Sequence, residues 1–184
     1  IIISYNDEDT LKKTIQSAAS FKKKDKIFIA LVDDCSTDST INIIKHAKKT
    51  NQIDVAHFNK KNLGAASSRN IGINLCHNTD YITFLDADDV WLLDKNEKQY
   101  GWMLRNPLVV MTGSEYPRRL EGGMFYKKPK LRVRKVGVFS QLMSNRFVAS
   151  TVMCKRNCEI IFKEGKRHSE DYLLWLELIF EGNL

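Results

Sequence analysis

Along the first 106 residues two rhythms of apolar positions take turns. Short β-branched or aromatic runs, "IIIS", "IFIALV", "IDVAHF" and "YITFL", have the length and composition of strands. Between them, apolar residues return every three or four positions, as one face of a helix requires. Leu11, Ile15 and Ala18 in "DTLKKTIQSAASF" do so, and "DSTINIIKHAKK", "GAASSRNIGINLC" and a segment around residues 94–105 predict three more helices. The Asp, Ser and Thr residues ahead of the second helix are the types that cap helix N-termini. Strand then helix, four times over, predicts an α/β fold with a mostly parallel central sheet flanked by helices on both faces.

After residue 107 the rhythm changes. "PLVVMTGSEY" predicts a further strand, "VGVFSQLMSN" a short helix and "ASTVMCKR" another strand. "SEDYLLWLELIFEG" closes with Leu173, Leu176 and Ile179 or Phe180 as an apolar helical stripe, and Trp175 is expected in the core rather than at a ligand surface. Between these elements "RRLEGGMFYKKPKLRVRK", residues 118–135, shows no helical period. It holds eight Lys and Arg against the single acid Glu121, a surplus equal to the net charge of the whole chain, +7. A solvated loop accounts for such a run. So does a surface for an anionic partner, whether phosphates, acidic glycan or anionic lipid headgroups, with Arg118, Arg119, Lys127, Lys128 and Lys130 as its contacts. Aromatic interleaving stops at Phe125 and Tyr126, so no nucleic acid partner is expected.

A chain of 184 residues is long enough for one sizeable core, burying roughly 70% of its unfolded surface, and one domain is the default. No apolar run reaches the roughly 18 residues that a membrane span needs. No basic-then-apolar leader opens the sequence, so a cytoplasmic location is expected, although the chain begins without Met and reads as trimmed. Cys35, Cys76, Cys154 and Cys158 show no paired C-x-x-C spacing and the histidines are scattered. Free thiols in a reducing compartment are expected rather than a zinc site.

Ligands of open parallel sheets bind outside the carboxyl ends of the strands. There the chain places "SYND", "VDDCSTDST", "NKKNLGAASSRN" and "DADD". The last puts Asp86, Asp88 and Asp89 within four positions, and like charges so close repel more strongly as the surroundings dry. A solvated turn explains the cluster, and so does a bound cation. G-x-G-x-x-G after the first strand and G-x-x-x-x-G-K-[ST] are both absent, so neither the usual dinucleotide fold nor a P-loop is supported. Asp33 and Asp34 can accept hydrogen bonds from a base N–H or ribose hydroxyls, and Tyr5 can stack on a base. A divalent cation on "DADD" would neutralise a diphosphate, which reconciles acids with an anionic ligand.

Taken in order, "IIISYN", "VDDCSTDST", "NLGAASSRNIGI", "FLDADDVWLLDK" and "SEDYLLWLEL" resemble the motifs of the family 2 glycosyltransferases of the GT-A fold, over essentially the whole chain. The resemblance implies a single catalytic domain over residues 1–184, with 1–106 as the nucleotide-sugar-binding half. Residues 107–184 would form the acceptor-side half, cut short at the C-terminus. Asp34 would contact the base, with Asp33 as support or a second contact, and Ser4, Tyr5 and Ala87 would line the same pocket. Asp86 would lie near ribose or metal, Asp88 on metal and diphosphate, and Asp89 would hold the turn. Arg69 would approach the nucleotide or its phosphates, although a surface salt bridge on its helix serves equally from sequence. In "SED" the acids favour the positive end of the helix dipole. The resemblance makes Asp171 the catalytic base and has Glu170 orient the site or touch the acceptor.

The implied reaction is an inverting single displacement from a nucleotide-diphosphate sugar, a UDP-sugar first, to a hydroxyl of a cell-surface glycan or glycolipid precursor. Mn²⁺ or Mg²⁺ would assist it. The transferred group would be a hexose or N-acetylhexosamine. The element Q-x-x-R-W is absent, so one addition rather than processive polymerisation is expected. The basic stretch would then meet an anionic glycolipid, with the protein peripheral on the inner face of the cytoplasmic membrane. Two alternatives stand beside this. "ITFLDADDV" also fits a haloacid-dehalogenase-like phosphatase with Asp86 as nucleophile. Residues 118–135 alone would suit a non-catalytic module that binds anionic lipid or glycan.

Overall fold

Side-chain alternation within the first strands sorts the core into two layers. Ile2, Leu31 and Leu85 point to one side of the sheet, and Ala30 and Phe84 to the other. The computed structural model describes residues 1–22, 27–92, 94–115, 133–165 and 170–181. Its strands β1 (Ile2–Ser4), β2 (Ala30–Asp33), β3 (Val55–Phe58) and β5 (Leu85–Asp86) form a parallel sheet in the order β3-β2-β1-β5. Helices α1 (Leu11–Ala19) and α2 (Thr40–Lys49) cover the first layer, through Leu11, Ile15, Ala18, Ile44 and Ala47. Helix α3 (Ala65–Leu75) and the last helix, α6 (Glu170–Glu181), cover the second. The parallel sheet with helices on both faces is the fold that the sequence predicts.

The run "YITFL" departs from its expected single strand. Its first part, β4 (Tyr81–Thr83), pairs antiparallel with β7 (Val152–Lys155), which also pairs with β6 (Met111–Gly113) in a second, three-stranded sheet. The chain crosses at Phe84 and enters the parallel sheet as β5. An uninterrupted apolar run is what a segment buried in both places needs, so its composition does not reveal the switch. Phe84 lies in an aromatic trio with Phe162 and Trp175, ring centroids 5.2 and 6.2 Å away. Trp175 is fully buried, a core residue as expected. The stripe of α6 is displaced from the predicted one: Leu174, Trp175, Leu178 and Ile179 face inward, Leu173 and Leu176 are half-buried and Phe180 is exposed. The bulk of Trp175 sets the inward face, because it removes the largest apolar area from water.

Helix α4 (Lys95–Arg105) follows the acidic turn and meets the second sheet with a polar face. Gln99 Nε2 donates to the carbonyls of Thr112 (3.2 Å) and Thr151 (2.9 Å). Lys95 is half-buried on the same side, its Nζ 3.3 Å from Thr83 Oγ1, 3.1 Å from Asn96 Oδ1 and 4.7 Å from the centre of the Trp91 ring. Two short elements complete the described chain: α5 (Val138–Met143) and a 3-10 turn, Ala149–Thr151, that leads into β7. Arg118, Arg119, Lys127, Lys128 and Lys130, and Ser169 ahead of α6, lie outside the described residues.

Burial lowers the Lys95 pKa from 10.5 to about 7. Between those values the unfolded chain holds the proton and the folded chain does not, so this residue's contribution to stability rises with pH across that window. Lys95→Met removes the penalty. Its melting temperature relative to wild type is expected to be highest at pH 7 and below and to fall toward pH 10, as read by calorimetry at both values.

Candidate functional site

Register brings four chain segments to one edge. Ser4 ends β1 opposite Asp33 of β2, Asp33 lies opposite Phe58 of β3, and Ile3 lies opposite Asp86 of β5. The carboxyl ends of the parallel strands therefore gather Ser4, Asp33, Asp34, Asn59 and Asp86, as the sequence predicts for a ligand edge.

Asp33 and Asp34 are both buried, with different work. Asp33 accepts from the Ser36 N–H (3.0 Å) and the Ser36 hydroxyl (2.5 Å), so it shapes its own loop. Asp34 Oδ1 accepts from Asn59 Nδ2 (2.7 Å) and the Leu63 N–H (2.8 Å), and Oδ2 from the Gly64 N–H (2.8 Å). A carboxylate has about four acceptor directions, so roughly one remains, on Oδ2. Cys35, between Asp34 and Ser36, has φ +70°, a left-handed conformation that L side chains rarely adopt, and so this turn is held against local preference. Ser4 is buried and donates to Asp7 Oδ2 at 3.0 Å, which also accepts the Tyr5 N–H at 2.8 Å. The Tyr5 side chain is exposed at the strand end.

The acidic turn is fixed from three directions. The Asp89 N–H closes it on the Asp86 carbonyl at 3.0 Å. Thr14 Oγ1 of α1 lies 2.7 Å from the Ala87 carbonyl and 2.8 Å from that of Asp89. Ser150, in the 3-10 turn, accepts the Asp86 N–H on Oγ (3.0 Å), and its own carbonyl accepts from Trp91 Nε1 (2.9 Å). The Asp89 carboxyl is pushed above its usual range by burial and by the charges of Asp88 and Asp86, and it bonds to Ser150. Ala87 is buried, whereas Asp88 points to solvent and accepts no hydrogen bond among the described residues.

Arg69 joins this turn to the last helix. It is only 6% exposed, which rules out a surface salt bridge. One guanidinium nitrogen lies 2.8 Å from Asp86 Oδ1 and the other 2.9 Å from Glu170 Oε1. Its ζ carbon lies 5.3 Å from the centre of the Phe162 ring, and its Nε has no partner among the described residues. Glu170 is thereby held at the start of α6, and Asp171 follows it, half-buried. Burial raises the Asp171 pKa above the usual carboxylate range and Glu170 and Asp86 add to the rise, against the Tyr172 N–H and Arg69. The Tyr172 N–H donates to Asp171 Oδ1 at 2.7 Å.

Thr14, Ser36, Asn59, Trp91 and Ser150 support the edge without having been singled out in the sequence. Thr14 left a signal, as a polar residue on the apolar face of its helix; Ser150 left none. A groove of about 440 Å³ between α1 and α2, lined by Lys12, Asn42, His46 and neighbours, includes none of these residues. The carboxyl edge, where charged groups converge, is the candidate site.

The chain is similar to several known proteins. An uncharacterized glycosyltransferase of Haemophilus influenzae is 34% identical over 96% of this chain and 69% of its own. The Escherichia coli protein WfaP, named as a UDP-Glc:alpha-D-GlcNAc-diphosphoundecaprenol beta-1,3-glucosyltransferase, is 30% identical over 99% of this chain and 70% of its own. Among solved structures, S. aureus TarS residues 1–349 in complex with UDP superposes with a TM-score of 0.74 at 19% identity, covering 97% of this chain and 54% of that one. The mannosyltransferase PcManGT from Pyrobaculum calidifontis, in complex with GDP-Man and Mn²⁺, gives 0.71 at 16% identity, over 98% and 51%. The chain thus spans about half the length of these solved proteins and shares the GT-A fold with them. The family model described as Glycosyl transferase family 2 matches residues 1–161, across every strand of both sheets and the acidic turn, and the chain belongs to that family.

Proposed function

We propose that this chain transfers a sugar from a nucleoside diphosphate sugar, a UDP-sugar first, to a hydroxyl of a lipid-linked glycan precursor. The observation that carries the reading is the Arg69 bridge, which brings the acidic turn of β5 and the Glu170–Asp171 pair to one edge. The name of WfaP and the UDP complex of TarS support the donor class, and the former supports a diphosphoundecaprenol-linked acceptor. No helix among the described residues is long and apolar enough to cross a membrane, and a peripheral position on the inner face of the cytoplasmic membrane suits such an acceptor.

In this reading the base meets the last free acceptor direction of Asp34, with the exposed Tyr5 ring beside it. Asp171 takes the proton from the acceptor hydroxyl, which attacks the anomeric carbon as the bond to the diphosphate breaks. No covalent enzyme intermediate forms and the configuration inverts. Arg69 keeps Glu170 and Asp86 in place, and its Nε–H, unpaired among the described residues, remains to donate toward the ligand.

The residues fit a divalent cation of the Mn²⁺ or Mg²⁺ kind. Among the described residues Asp88 is unengaged, and Arg69 occupies only Oδ1 of Asp86. No group of three or more His, Cys, Asp or Glu among the described residues could cage a metal. One or two carboxylates completed by substrate phosphates is the arrangement such cations favour. When bound there, a cation supplies neutralising charge to the departing diphosphate.

Three outcomes test the reading. Wild type is expected to melt higher with UDP and Mn²⁺ than without, and Asp88→Ala to lose that rise while melting normally alone. Asp171→Asn is expected to keep donor binding and to lose about 10²- to 10⁴-fold in transfer rate. Because the Asp171 pKa is raised in the fold, the stability linked to its proton is present below its ordinary pKa and lost as pH rises through the raised one. At neutral pH Asp171→Asn should therefore melt no lower than wild type; transfer at the wild-type rate would remove Asp171 from the mechanism. Arg69→Met leaves two carboxylates without their cation and is expected to cost about 3 kcal/mol or more in chemical denaturation.

A further inference from the structure

Helix α5 is built the wrong way round for a water-facing element. Its Phe139, Leu142 and Met143, spaced three and four apart, share one face and are 77%, 56% and 72% exposed. Its glutamine, Gln141, is fully buried: Nε2 donates to Asn145 Oδ1 (2.9 Å) and Oε1 accepts the Arg146 N–H (3.0 Å). The glutamine is inside and three of the four apolar side chains are outside, with Val138 packed against the core. From Val133 to Val148 the chain contains Arg134, Lys135 and Arg146, all exposed, and no acid.

We propose that the outward face of α5 docks the protein on an anionic lipid bilayer, with Phe139, Leu142 and Met143 entering the headgroup boundary and Arg134, Lys135 and Arg146 meeting the lipid phosphates. This rests on the reading of a lipid-linked acceptor given above. Exposed apolar side chains flanked along the chain by cations, with no acid in the segment, match an anionic membrane surface in both depth and charge. Six residues are far too few to span a bilayer, so shallow insertion is the mode that fits. The position of the face gives it a use. Tyr172 Oη donates to the Leu142 carbonyl at 3.1 Å, so α5 is tied to α6 one residue beyond Asp171. An acceptor anchored in the bilayer would reach the proposed base without leaving the headgroup layer.

The test is co-sedimentation of the full chain with vesicles of phosphatidylglycerol and phosphatidylethanolamine, against vesicles of phosphatidylcholine alone. Wild type is expected to follow the anionic vesicles. Phe139→Asp with Met143→Asp should weaken that partition by about tenfold or more, and Arg134→Ala with Lys135→Ala by about fivefold per cation with a flatter salt dependence. Both pairs should keep the wild-type UDP-induced thermal shift and transfer to a soluble short-chain acceptor. The docking proposal fails if wild type ignores anionic vesicles or if the Phe139 and Met143 pair sediments like wild type. It also fails if wild type is a dimer that this pair dissociates, which would put a second copy on the face. Absence of a UDP shift in wild type, with vesicle binding intact, would instead sink the transferase reading alone.

Discussion

A buried guanidinium needs anions, and Arg69 finds them on two elements that are distant in sequence. Asp86 comes from the end of a parallel strand and Glu170 from the first turn of the last helix, 101 residues from Arg69 along the chain. Removing Arg69 leaves two carboxylates uncompensated in a poorly solvated place, so both acids depend on it. Beneath the ions is an apolar floor: Phe162 lies against the guanidinium and packs edge-on with Phe84 and Trp175. The aromatic core thus sets the height of the polar bridge, and the bridge in turn fixes where Asp171 stands relative to the acidic turn.

The turn itself is supported from behind rather than by its own carboxylates. Thr14 holds two of its carbonyls, Ser150 holds a backbone N–H and the Asp89 carboxyl, and Trp91 holds Ser150. Asp89 is consumed by this support, which leaves Asp88 as the acid most open to solvent. Like charges so close in sequence are separated by burial into different work.

Much of this was legible along the chain, because period-2 and period-3.6 patterns report burial directly. The parallel sheet, the helices on both faces and the polar strand ends followed from "IIIS", "IFIALV" and their neighbours without tertiary information. The path of "YITFL" through two sheets was not legible, since an apolar run looks the same whether one sheet or two will bury it. The stripe of α6 was misplaced because Leu173, Leu174, Leu176 and Leu178 offer several faces, and only contact with Phe84 and Phe162 selects the one containing Trp175. Arg69 showed its charge but not its burial, since a helix with "SSRN" reads as solvent-facing. Asp34 showed its acidity but not that Asn59, Leu63 and Gly64 engage most of its lone pairs.

The crossing of the chain at Phe84 has a consequence in time. Strand β4 lies next to the acidic turn in sequence, yet its partner β7 is made some seventy residues later, as the Thr83 hydroxyl bonded to the Val152 carbonyl illustrates with a separation of 69. A nascent chain leaving the ribosome can assemble β1, β2 and β3 early, but β4 has no ladder until residue 155 emerges, and Arg69 lacks its second anion until residue 170 does. Contacts so distant in sequence form slowly. The site is therefore finished late, on a scaffold already in place, and an interrupted chain would carry the acidic turn without the helix that bears Glu170 and Asp171.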